Sequence, residues 1–401
     1  MTPTVLTGPA AGGKTPPRAA DPLARWRDGV TIAPVSRVAG RHTMHAYYTA
    51  SPERPGGGAA LFYASTTREG YTGSLYLAAR SGDAEDGSAA GQEIELVSGL
   101  TVEDAHRAAC QQWVSGGRRV VYHDYRDGAW VVAALDVSPD GATHAERVLT
   151  GDRLVGWGQP EADLVPLYGT HWLPNTHRDL ELLDVASGAV RTVLTAEAVR
   201  AAYPEAVAAT FGDRPVSIFF PVLSPDLSRV FFKLATATGE DFRSPKASRR
   251  AMLICYDLAG GRFLFADERW AHPAWHPDSR TIVDVPHALI DSDTGSRRTL
   301  DGLPPLPGAH PSFSPDGTLC VSDVALDRMP GAGAAPGEWG IVVEDLAAQR
   351  SVLLHRFDES QGAASWRRCH PHPVFSPDGR RIYFSTGSSP WTQLQVAVAP
   401  D

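Results

Sequence analysis

The sequence predicts an all-β chain folded as a seven-bladed β-propeller, and a repeated turn is the main evidence. A Pro-Asp turn followed by a strand-like run occurs in LSPDLSRVFFKL (223–234), WHPDSRTIVDV (275–285), FSPDGTLCVSD (313–323) and FSPDGRRIYFST (375–386). Glycine (38) and proline (32) together make up about 17% of the 401 residues, which favours many short strands over long helices. Repeats of roughly 40–60 residues with four strands each are typical of propellers.

A second hairpin completes the predicted four-stranded unit. It consists of an apolar run ending in Asp, a turn and another β-rich run, as in LELLDVASGAVRTVLT (180–195), MLICYDLAGGRFLFA (252–266) and IVVEDLAAQRSVLLH (341–355). The Ser-Pro-Asp-Gly at 138–141 is assigned to this second hairpin rather than to the repeated turn. Counting the units predicts blades at about 40–98, 100–149, 151–196, 215–267, 268–300, 305–355 and 366–400.

Three segments are predicted to lie outside the blades. Residues 1–34 begin with a stretch rich in Pro, Gly, Ala and Thr and are expected to form a flexible N-terminal segment, which leaves 35–401 as a single propeller domain. The Ala-rich segment at 195–211 has helical spacing and predicts a short helical insertion between blades. The polar and basic loop at 235–250 is expected to overlie one face of the ring.

The composition narrows the classes of function. The net charge of −9 argues against general nucleic-acid binding, although a local arginine cluster can still bind a small anion. The four cysteines are isolated, so neither a zinc ribbon nor a redox dithiol is indicated. There is no apolar signal-peptide core at the N-terminus and no apolar run of ~18 residues, so a cytoplasmic protein without membrane contacts is expected.

Histidines recur at the start of the later predicted blades. His370 and His372 stand in CHPHPVFSPDG, His310 in AHPSFSPDG and His272 in AHPAWHPDS. Residues i and i+2 of an extended segment point to the same side, and the starts of propeller blades line the central channel. These imidazoles can therefore converge on one ion, which favours a metal-dependent enzyme. The alternative function is a non-catalytic binding platform.

The same stretches resemble the oligogalacturonate lyase family of seven-bladed propellers. The resemblance is strongest in CHPHPVFSPDGRRIYFST, continues back through AHPSFSPDG and AHPAWHPDS to RRAMLICYD, and covers about residues 35–400. In this family, histidines in the channel hold a manganese-type divalent cation. The resemblance implies that the ligands here are His310, His370 and His372.

The resemblance also implies which residues act on the substrate. His272 matches the general base, and Arg250, with Arg249 as the less favoured choice, matches the arginine that neutralises the substrate carboxylate. These residue types suit β-elimination of a uronide, in which the proton at C5 is removed and the C4 oxygen leaves. A neutral imidazole accepts that proton near neutral pH, and a cation with an arginine stabilises the charge that develops on the carboxylate.

One position departs from the family pattern. The family's fourth ligand is a glutamine three residues before the first histidine of the HPHP pair, where this sequence has Arg367, which cannot bind a metal. Gln361 could substitute if the loop 357–369 folds back. Arg367 could instead supply a second contact to the substrate carboxylate, and so could Arg368. Trp366, beside the expected channel, is positioned to stack on a sugar.

The sequence therefore predicts a metal-dependent carbon–oxygen lyase that cleaves a short, oligogalacturonate-like uronide by β-elimination. Its cofactor is expected to be a divalent metal, with Mn²⁺ favoured by the resemblance, because imidazole ligands alone also suit zinc, iron and nickel. Its partner is expected to be a small acidic oligosaccharide or a related small molecule. The alternatives are an enzyme of the same scaffold acting on another uronide or a specialised metabolite, and the binding platform. The oligomeric state stays open.

Overall fold

Seven four-stranded antiparallel sheets make up the protein. The computed structural model describes residues 21–79, 92–143, 146–169, 177–239, 241, 243–269, 272–284, 288–303, 310–329 and 331–400. The sheets are the blades of a propeller around a central channel, which confirms the predicted fold class. In each blade the innermost strand lies at the channel, and the chain then runs outwards.

The strands follow the blades in chain order, apart from β1 (Thr31–Pro34), which belongs to the last blade. The first blade contains β2 (His42–Met44), β3 (Ala59–Ser65), β4 (Thr72–Ala79) and β5 (Glu93–Thr101), and the second contains β6 (Gln112–Val114), β7 (Arg119–Arg126), β8 (Ala129–Asp136) and β9 (Arg147–Gly151). The third contains β10 (Arg153–Val155), β11 (Leu164–Gly169), β12 (Leu180–Asp184) and β13 (Val190–Leu194), and the fourth contains β14 (Ser217–Leu223), β15 (Arg229–Ala237), β16 (Ser248–Asp257) and β17 (Arg262–Asp267). The fifth contains β18 (Ala274–Trp275), β19 (Thr281–Asp284), β20 (Ala288–Asp291) and β21 (Arg297–Thr299), and the sixth contains β22 (Ser312–Phe313), β23 (Cys320–Ala325), β24 (Glu338–Asp345) and β25 (Arg350–Asp358). The seventh contains β26 (Val374–Phe375), β27 (Arg381–Thr386) and β28 (Gln393–Val398), with β1 as its outer strand.

The N-terminal segment differs from the expectation of a flexible stretch over 1–34. Residues 1–20 lie outside the described residues, but β1 pairs antiparallel with β28, with Thr31 opposite Val398 and Pro34 opposite Gln395. The N-terminal strand therefore closes the ring against the C-terminal strand, and the propeller begins before residue 35. Trp26, just before β1, is buried against Phe375 with ring centres 5.8 Å apart, which anchors the segment further.

The helical insertion is present where the sequence places it, as two short helices. These are α1 (Ala196–Ala202) and α2 (Pro204–Phe211). The Thr195 side chain accepts a hydrogen bond from the Ala198 N–H at 3.1 Å and caps α1, and Pro204 occupies the first turn of α2, where it needs no donor. Val207 and Phe211 of α2 are buried between the third and fourth blades.

Two loops also agree with the sequence analysis. The Ser-Pro-Asp-Gly at 138–141 joins β8 to β9 and therefore belongs to the second hairpin of its blade. The loop between β15 and β16 reaches the first blade, where the Arg243 Nη2 donates to the Val102 carbonyl at 2.8 Å and the guanidinium lies 4.1 Å from the centre of the Tyr71 ring. This loop crosses the face of the ring at which the blades begin.

The two ends of the channel are set by the two ends of the innermost strands. Each strand starts at one end and finishes at its turn at the other. In the last blade, the Ser376 Oγ donates to Asp378 at 2.6 Å and the Arg381 N–H donates to Ser376 Oγ at 3.0 Å. The Pro-Asp motif is thus a self-contained turn, and it places the histidines before it at the opposite end. Among the described residues, no helix is long and apolar enough to cross a membrane.

Candidate metal centre in the channel

Four histidines converge at the end of the channel where the blades begin. One ring nitrogen from each of His106, His310, His370 and His372 lies within 4.8 Å of the others. Two nitrogen ligands of one ion, each about 2.1 Å from it, can be at most about 4.2 Å apart. Small rotations of these side chains are therefore enough to bring all four nitrogens onto one metal ion.

Three of these residues are the ligands expected from the sequence, and one was missed. His310 directly precedes the innermost strand of the sixth blade, and His370 and His372 precede that of the seventh. His106 lies in the loop between β5 and β6, before the second blade. It adds a fourth imidazole to the three expected from the sequence. Its segment, VEDAHRAACQQW, has neither the His-Pro pair nor the Pro-Asp turn that singled out the others.

The hydrogen bonds of the histidines leave lone pairs for an ion. His310 Nδ1 donates to Asp323, 2.9 and 3.0 Å from its two oxygens, and His106 Nδ1 donates to the Arg368 carbonyl at 2.8 Å. The buried Nε2 of His310, Nε2 of His372 and Nδ1 of His370 have no partner. Unpaired buried polar atoms are costly, so this donor set fits a divalent cation that accepts imidazole nitrogen.

Burial keeps these imidazoles in the neutral form that binds metal. Burial, reinforced by the neighbouring histidines, lowers the pKa of His106 and His372 well below the usual range. The same causes lower the pKa of His370 to about 4. At neutral pH these three rings are therefore neutral, and each has one nitrogen lone pair available for an ion.

Asp323 is a supporting residue that sequence reasoning did not find. Its carboxylate is fully buried in β23 and accepts, besides the His310 ring, the backbone N–H of His310 at 2.8 Å and that of His372 at 3.1 Å. It therefore fixes histidines of two blades at once. His372 has φ +48°, an uncommon conformation for a non-glycine residue. A carboxylate behind a metal-binding histidine sets its tautomer and orientation.

His272, the expected general base, lies beside the cluster but outside the four-nitrogen set. Its ring centre is 4.5 Å from that of His310. Burial, followed by the nearby His310 and Lys233, lowers the pKa of His272 well below the usual range. The imidazole is therefore neutral at neutral pH, as a base that accepts a carbon-bound proton requires.

Arg250 lies at the channel, whereas Arg249 does not. Arg250 Nε donates to Ser248 Oγ at 2.9 Å, and its guanidinium lies 5.1 Å from the centre of the Phe219 ring. Burial, followed by repulsion from Arg367, lowers the pKa of Arg250 to about 9. Arg249 precedes it in the same strand, is exposed, and points to the opposite face. Of the two arginines considered from the sequence, only Arg250 is placed to meet a ligand.

Arg367 and Trp366 form one unit next to the cluster. The Arg367 Nη1 lies 3.5 Å from Asp104, and its guanidinium lies 4.5 Å from the centre of the Trp366 ring. The Trp366 indole N–H donates to the Glu103 carbonyl at 3.1 Å. Arg367 therefore covers one face of the indole, and a sugar would have to stack on the other. The buried Nη2 of Arg367 has no partner.

Arg368 and Gln361, which the sequence offered as possible contributors to the site, lie outside the cluster. Both side chains are exposed, and the Arg368 Nη2 donates to the Gln361 carbonyl at 3.0 Å. The contribution of Arg368 to the site is its backbone carbonyl, which orients His106. The exposed Gln361 side chain does not fold back to the cluster, and the fourth nitrogen there belongs to His106.

The charged groups that the structure describes around the cluster leave one arginine without a carboxylate partner. Arg107 pairs with Glu103 and donates to the Tyr168 hydroxyl, and Arg367 pairs with Asp104. Arg250 has no carboxylate partner among the described residues. Asp323, bonded to His310, is a third carboxylate at the cluster, so the three arginines are balanced in number, and Arg250 is the one whose guanidinium is left for an anionic ligand. An oriented arginine in a partly dry cleft binds carboxylates well.

Aromatic side chains close the channel below the histidines. Tyr47 stacks on Trp157 with ring centres 5.4 Å apart, and Tyr48 lies against His310 at 5.2 Å. On the far side, a separate cavity of about 460 Å³ opens between the Pro-Asp turns. Tyr48 lines that cavity, but none of the four clustered histidines does. The four clustered histidines therefore do not open onto this cavity.

Comparisons with known proteins support the fold. No protein-family model and no curated protein matches the sequence. Among solved structures, the chain is similar to oligogalacturonate lyase from Vibrio parahaemolyticus, with a TM-score of 0.61 and 14% identity over 93% of this chain and 94% of that one. It is also similar to an oligogalacturonate lyase in complex with manganese (TM-score 0.43, 16% identity, 88% and 99% covered) and to a putative TolB from Agrobacterium tumefaciens (0.41, 13%, 94% and 99%). At these identities the similarity establishes the propeller fold, and function has to be argued from the site.

Proposed function

We propose that this protein is a metal-dependent lyase that cleaves a short uronide by β-elimination. The observation that carries the proposal is the cluster of four imidazole nitrogens within 4.8 Å, next to Arg250, whose guanidinium has no carboxylate partner among the described residues. A cation site and a carboxylate site side by side are what the elimination of a group β to a carboxylate requires. The resemblance of the HPHP and His-Pro motifs to oligogalacturonate lyases supports the same reaction.

The ion would be held by His106, His310, His370 and His372. Four neutral donors leave its full positive charge in place, and a divalent cation bound there would polarise the substrate carboxylate. We propose Mn²⁺ as the resident ion on the strength of the resemblance. Imidazole also suits zinc, iron and nickel, so metal analysis has to cover these.

The protein's own residues would carry the remaining steps. Arg250 and Arg367 would bind the substrate carboxylate and orient C5 towards His272. The neutral His272 imidazole would accept the C5 proton, the C5–H electron pair would form the C4=C5 double bond, and the C4–O bond would break with its electron pair on oxygen. That oxygen would then take a proton from solvent, so one proton leaves carbon and one reaches the leaving group.

Arg367 supports a second candidate on the same scaffold, namely a uronide or specialised metabolite other than oligogalacturonate. The family has a neutral glutamine ligand at this position, whereas here a cation stands beside the site and His106 supplies the fourth nitrogen. An extra cation favours a substrate with more negative charge near the reacting carboxylate. A non-catalytic platform has no comparable support, since a platform needs no convergent histidines.

The test combines metal analysis with a lyase assay. The purified protein is assayed for the ultraviolet absorbance of the new double bond conjugated with the carboxylate, using digalacturonate and a panel of other uronides. We expect one divalent ion per chain and an absorbing product from at least one uronide. His272→Ala is expected to abolish turnover and keep the ion, which separates the base from the ligands. A protein that binds the ion but eliminates none of the uronides contradicts the proposal.

A further inference from the structure

Two consecutive tyrosines below the histidine cluster differ in what their hydroxyl groups contact. Tyr48 is fully buried, and its hydroxyl donates to the Pro273 carbonyl at 3.1 Å. Tyr47 has its ring centre 4.3 Å from that of His372, and its hydroxyl has no hydrogen-bond partner within the described part of the chain. The Tyr47 oxygen is not among the fully buried polar atoms, and the residue keeps 4% of its surface exposed. Of these two tyrosines, therefore, only Tyr47 has a hydroxyl that is both without a partner among the described residues and not fully buried.

The Tyr47 ring is held in one orientation by its neighbours. Trp157 stacks on it with an interplanar angle of 5°, and the Phe220 ring meets it edge-on at 5.3 Å. Phe220 adopts φ +57°, a left-handed conformation that is costly for a bulky residue. Strain of this kind persists where the surrounding structure holds the residue in place. Here the strained backbone positions the Phe220 ring against Tyr47.

The Tyr47 side chain lies within electrostatic range of two arginines beside the cluster. The cavity at the other end is lined by Tyr48 and not by Tyr47. Burial raises the pKa of the Tyr47 phenol, and the cations that oppose this are Arg107 and Arg367. The hydroxyl is therefore a neutral donor within electrostatic range of Arg367, one of the two arginines that would bind the substrate carboxylate. Its position and its missing partner point to the same ligand group.

We propose that the Tyr47 hydroxyl contacts the substrate directly and donates a hydrogen bond to the carboxylate held by the arginines. This inference rests on the proposed function, because it takes the ligand to be a uronide. It makes Tyr47 a catalytic residue of that reaction.

The hydrogen bond would stabilise the transition state more than the ground state. When His272 removes the C5 proton, the electron pair of that bond delocalises into the carboxylate and adds charge to its oxygens. A donor fixed before the reaction gains strength as this charge grows. Its loss should therefore appear mainly in kcat, by about 10- to 100-fold, with KM changed by less than about 3-fold.

The experiment compares Tyr47→Phe with Tyr48→Phe in the metal-loaded, full-length protein. For each variant we would measure kcat and KM on the best uronide, calorimetric binding of galacturonate, metal content and the unfolding midpoint. Tyr47→Phe is expected to lower kcat and to leave the metal content and the unfolding midpoint unchanged, because its hydroxyl has no partner in the protein. Tyr48→Phe is expected to lower the unfolding midpoint, since the Pro273 carbonyl loses its donor, and to keep kcat within about 2-fold.

The outcomes separate the inference from the function on which it rests. An unchanged kcat in Tyr47→Phe, with an active wild type, overturns the role of Tyr47 and leaves the lyase assignment intact. Equal losses of kcat in both variants indicate a packing effect and also overturn it. A wild-type protein that neither binds nor cleaves any uronide contradicts both.

Discussion

Each sequence repeat contributes residues to both ends of an innermost strand, but the polar groups at the two ends differ in their hydrogen bonding. At the turn end, Asp316 and Asp378 each accept hydrogen bonds from the serine two residues before and from a backbone N–H. At the other end, His310, His370 and His372 each keep a buried nitrogen without a partner. The comparison separates residues that stabilise the fold from residues held ready for a ligand, since unpaired buried atoms oppose folding.

The largest expected effect is the loss of the ion when a clustered histidine is removed. His372→Ala should weaken metal binding by more than about 100-fold, because losing a ligand costs more than the 10- to 100-fold typical of its supporting residues. The unfolding midpoint of the metal-free protein should also fall, because the buried His372 ring packs against Tyr47 and its removal leaves a cavity. Metal content after dialysis and thermal unfolding check this. Stoichiometric metal in the variant would show that His372 is not a ligand.

A smaller effect is expected from the carboxylate behind the histidines. Asp323→Asn places an N–H₂ group or a weaker acceptor against His310 Nδ1, which favours the tautomer with a proton on the nitrogen that faces the ion. Metal affinity should fall by about 10- to 100-fold, with the fold retained. A titration with Mn²⁺ or Zn²⁺ and circular dichroism measure the two quantities. Wild-type affinity in this variant would exclude a role of Asp323 in ordering the site.

Acid should weaken the metal-free protein through its buried histidines. Burial lowers the pKa of His45 and His370 to about 4 and that of His123 to about 3. The unfolded chain takes up these protons near pH 6.5, so below that pH each histidine lowers the free energy of unfolding by about 1.4 kcal/mol per pH unit until its folded pKa is reached. Burial raises the pKa of Glu359 to about 8, so the folded protein takes up a proton at this carboxyl before the unfolded chain does. As the pH falls, this uptake offsets the loss of stability caused by one of the three histidines.

The free energy of unfolding should therefore fall from about pH 6.5 towards pH 4 in the metal-free protein. Urea unfolding of this form at a series of pH values measures it. The turn end should respond only at lower pH: burial opposes ionisation of Asp316, but hydrogen bonds from Ser314 and Thr318 lower its pKa below the usual value. That contribution is present above pH ~4 and is lost below it. A flat profile between pH 6.5 and pH 4 would contradict the buried, neutral histidines.

The smallest effect is expected from the turn, which serves as the matched control. Asp316→Ala removes the acceptor of the Ser314 hydroxyl at 2.6 Å and of the Thr318 N–H at 3.0 Å. The free energy of unfolding should fall by about 1–2 kcal/mol, because the turn is exposed and water replaces part of the loss. Metal affinity should stay within about 2-fold of the wild type. A loss of metal in this variant would mean that the two ends are coupled.

The fold was predictable because its turns are local. Serine, proline and aspartate in Ser-Pro-Asp form their hydrogen bonds within a few residues, so the same letters produce the same turn in successive blades. Strand β1 was not predictable in this way. It has four residues, ends in proline, and is defined only by its partner β28 at the other end of the chain. Ring closure is a non-local contact that leaves no local pattern.

Residues of the candidate site were predictable only where they stand next to the repeated Pro-Asp turn. His310, His370 and His372 were found because each stands before a recognisable turn. His106 follows an irregular loop, and only the closed ring brings it to the others. Asp323 lies in an ordinary strand pattern, and its role depends on the neighbouring blade. These two residues belong to the site only because different blades meet in the folded ring, and their spacing along the chain does not show this.

Locating the ion is the most direct test of the account. Crystals of the metal-loaded protein give an anomalous difference map, which identifies the metal and its position without reference to activity. The account predicts one peak per chain, about 2.0–2.3 Å from a nitrogen of each of His106, His310, His370 and His372. A protein that takes up no ion, or a peak whose ligands do not include these histidines, would contradict it.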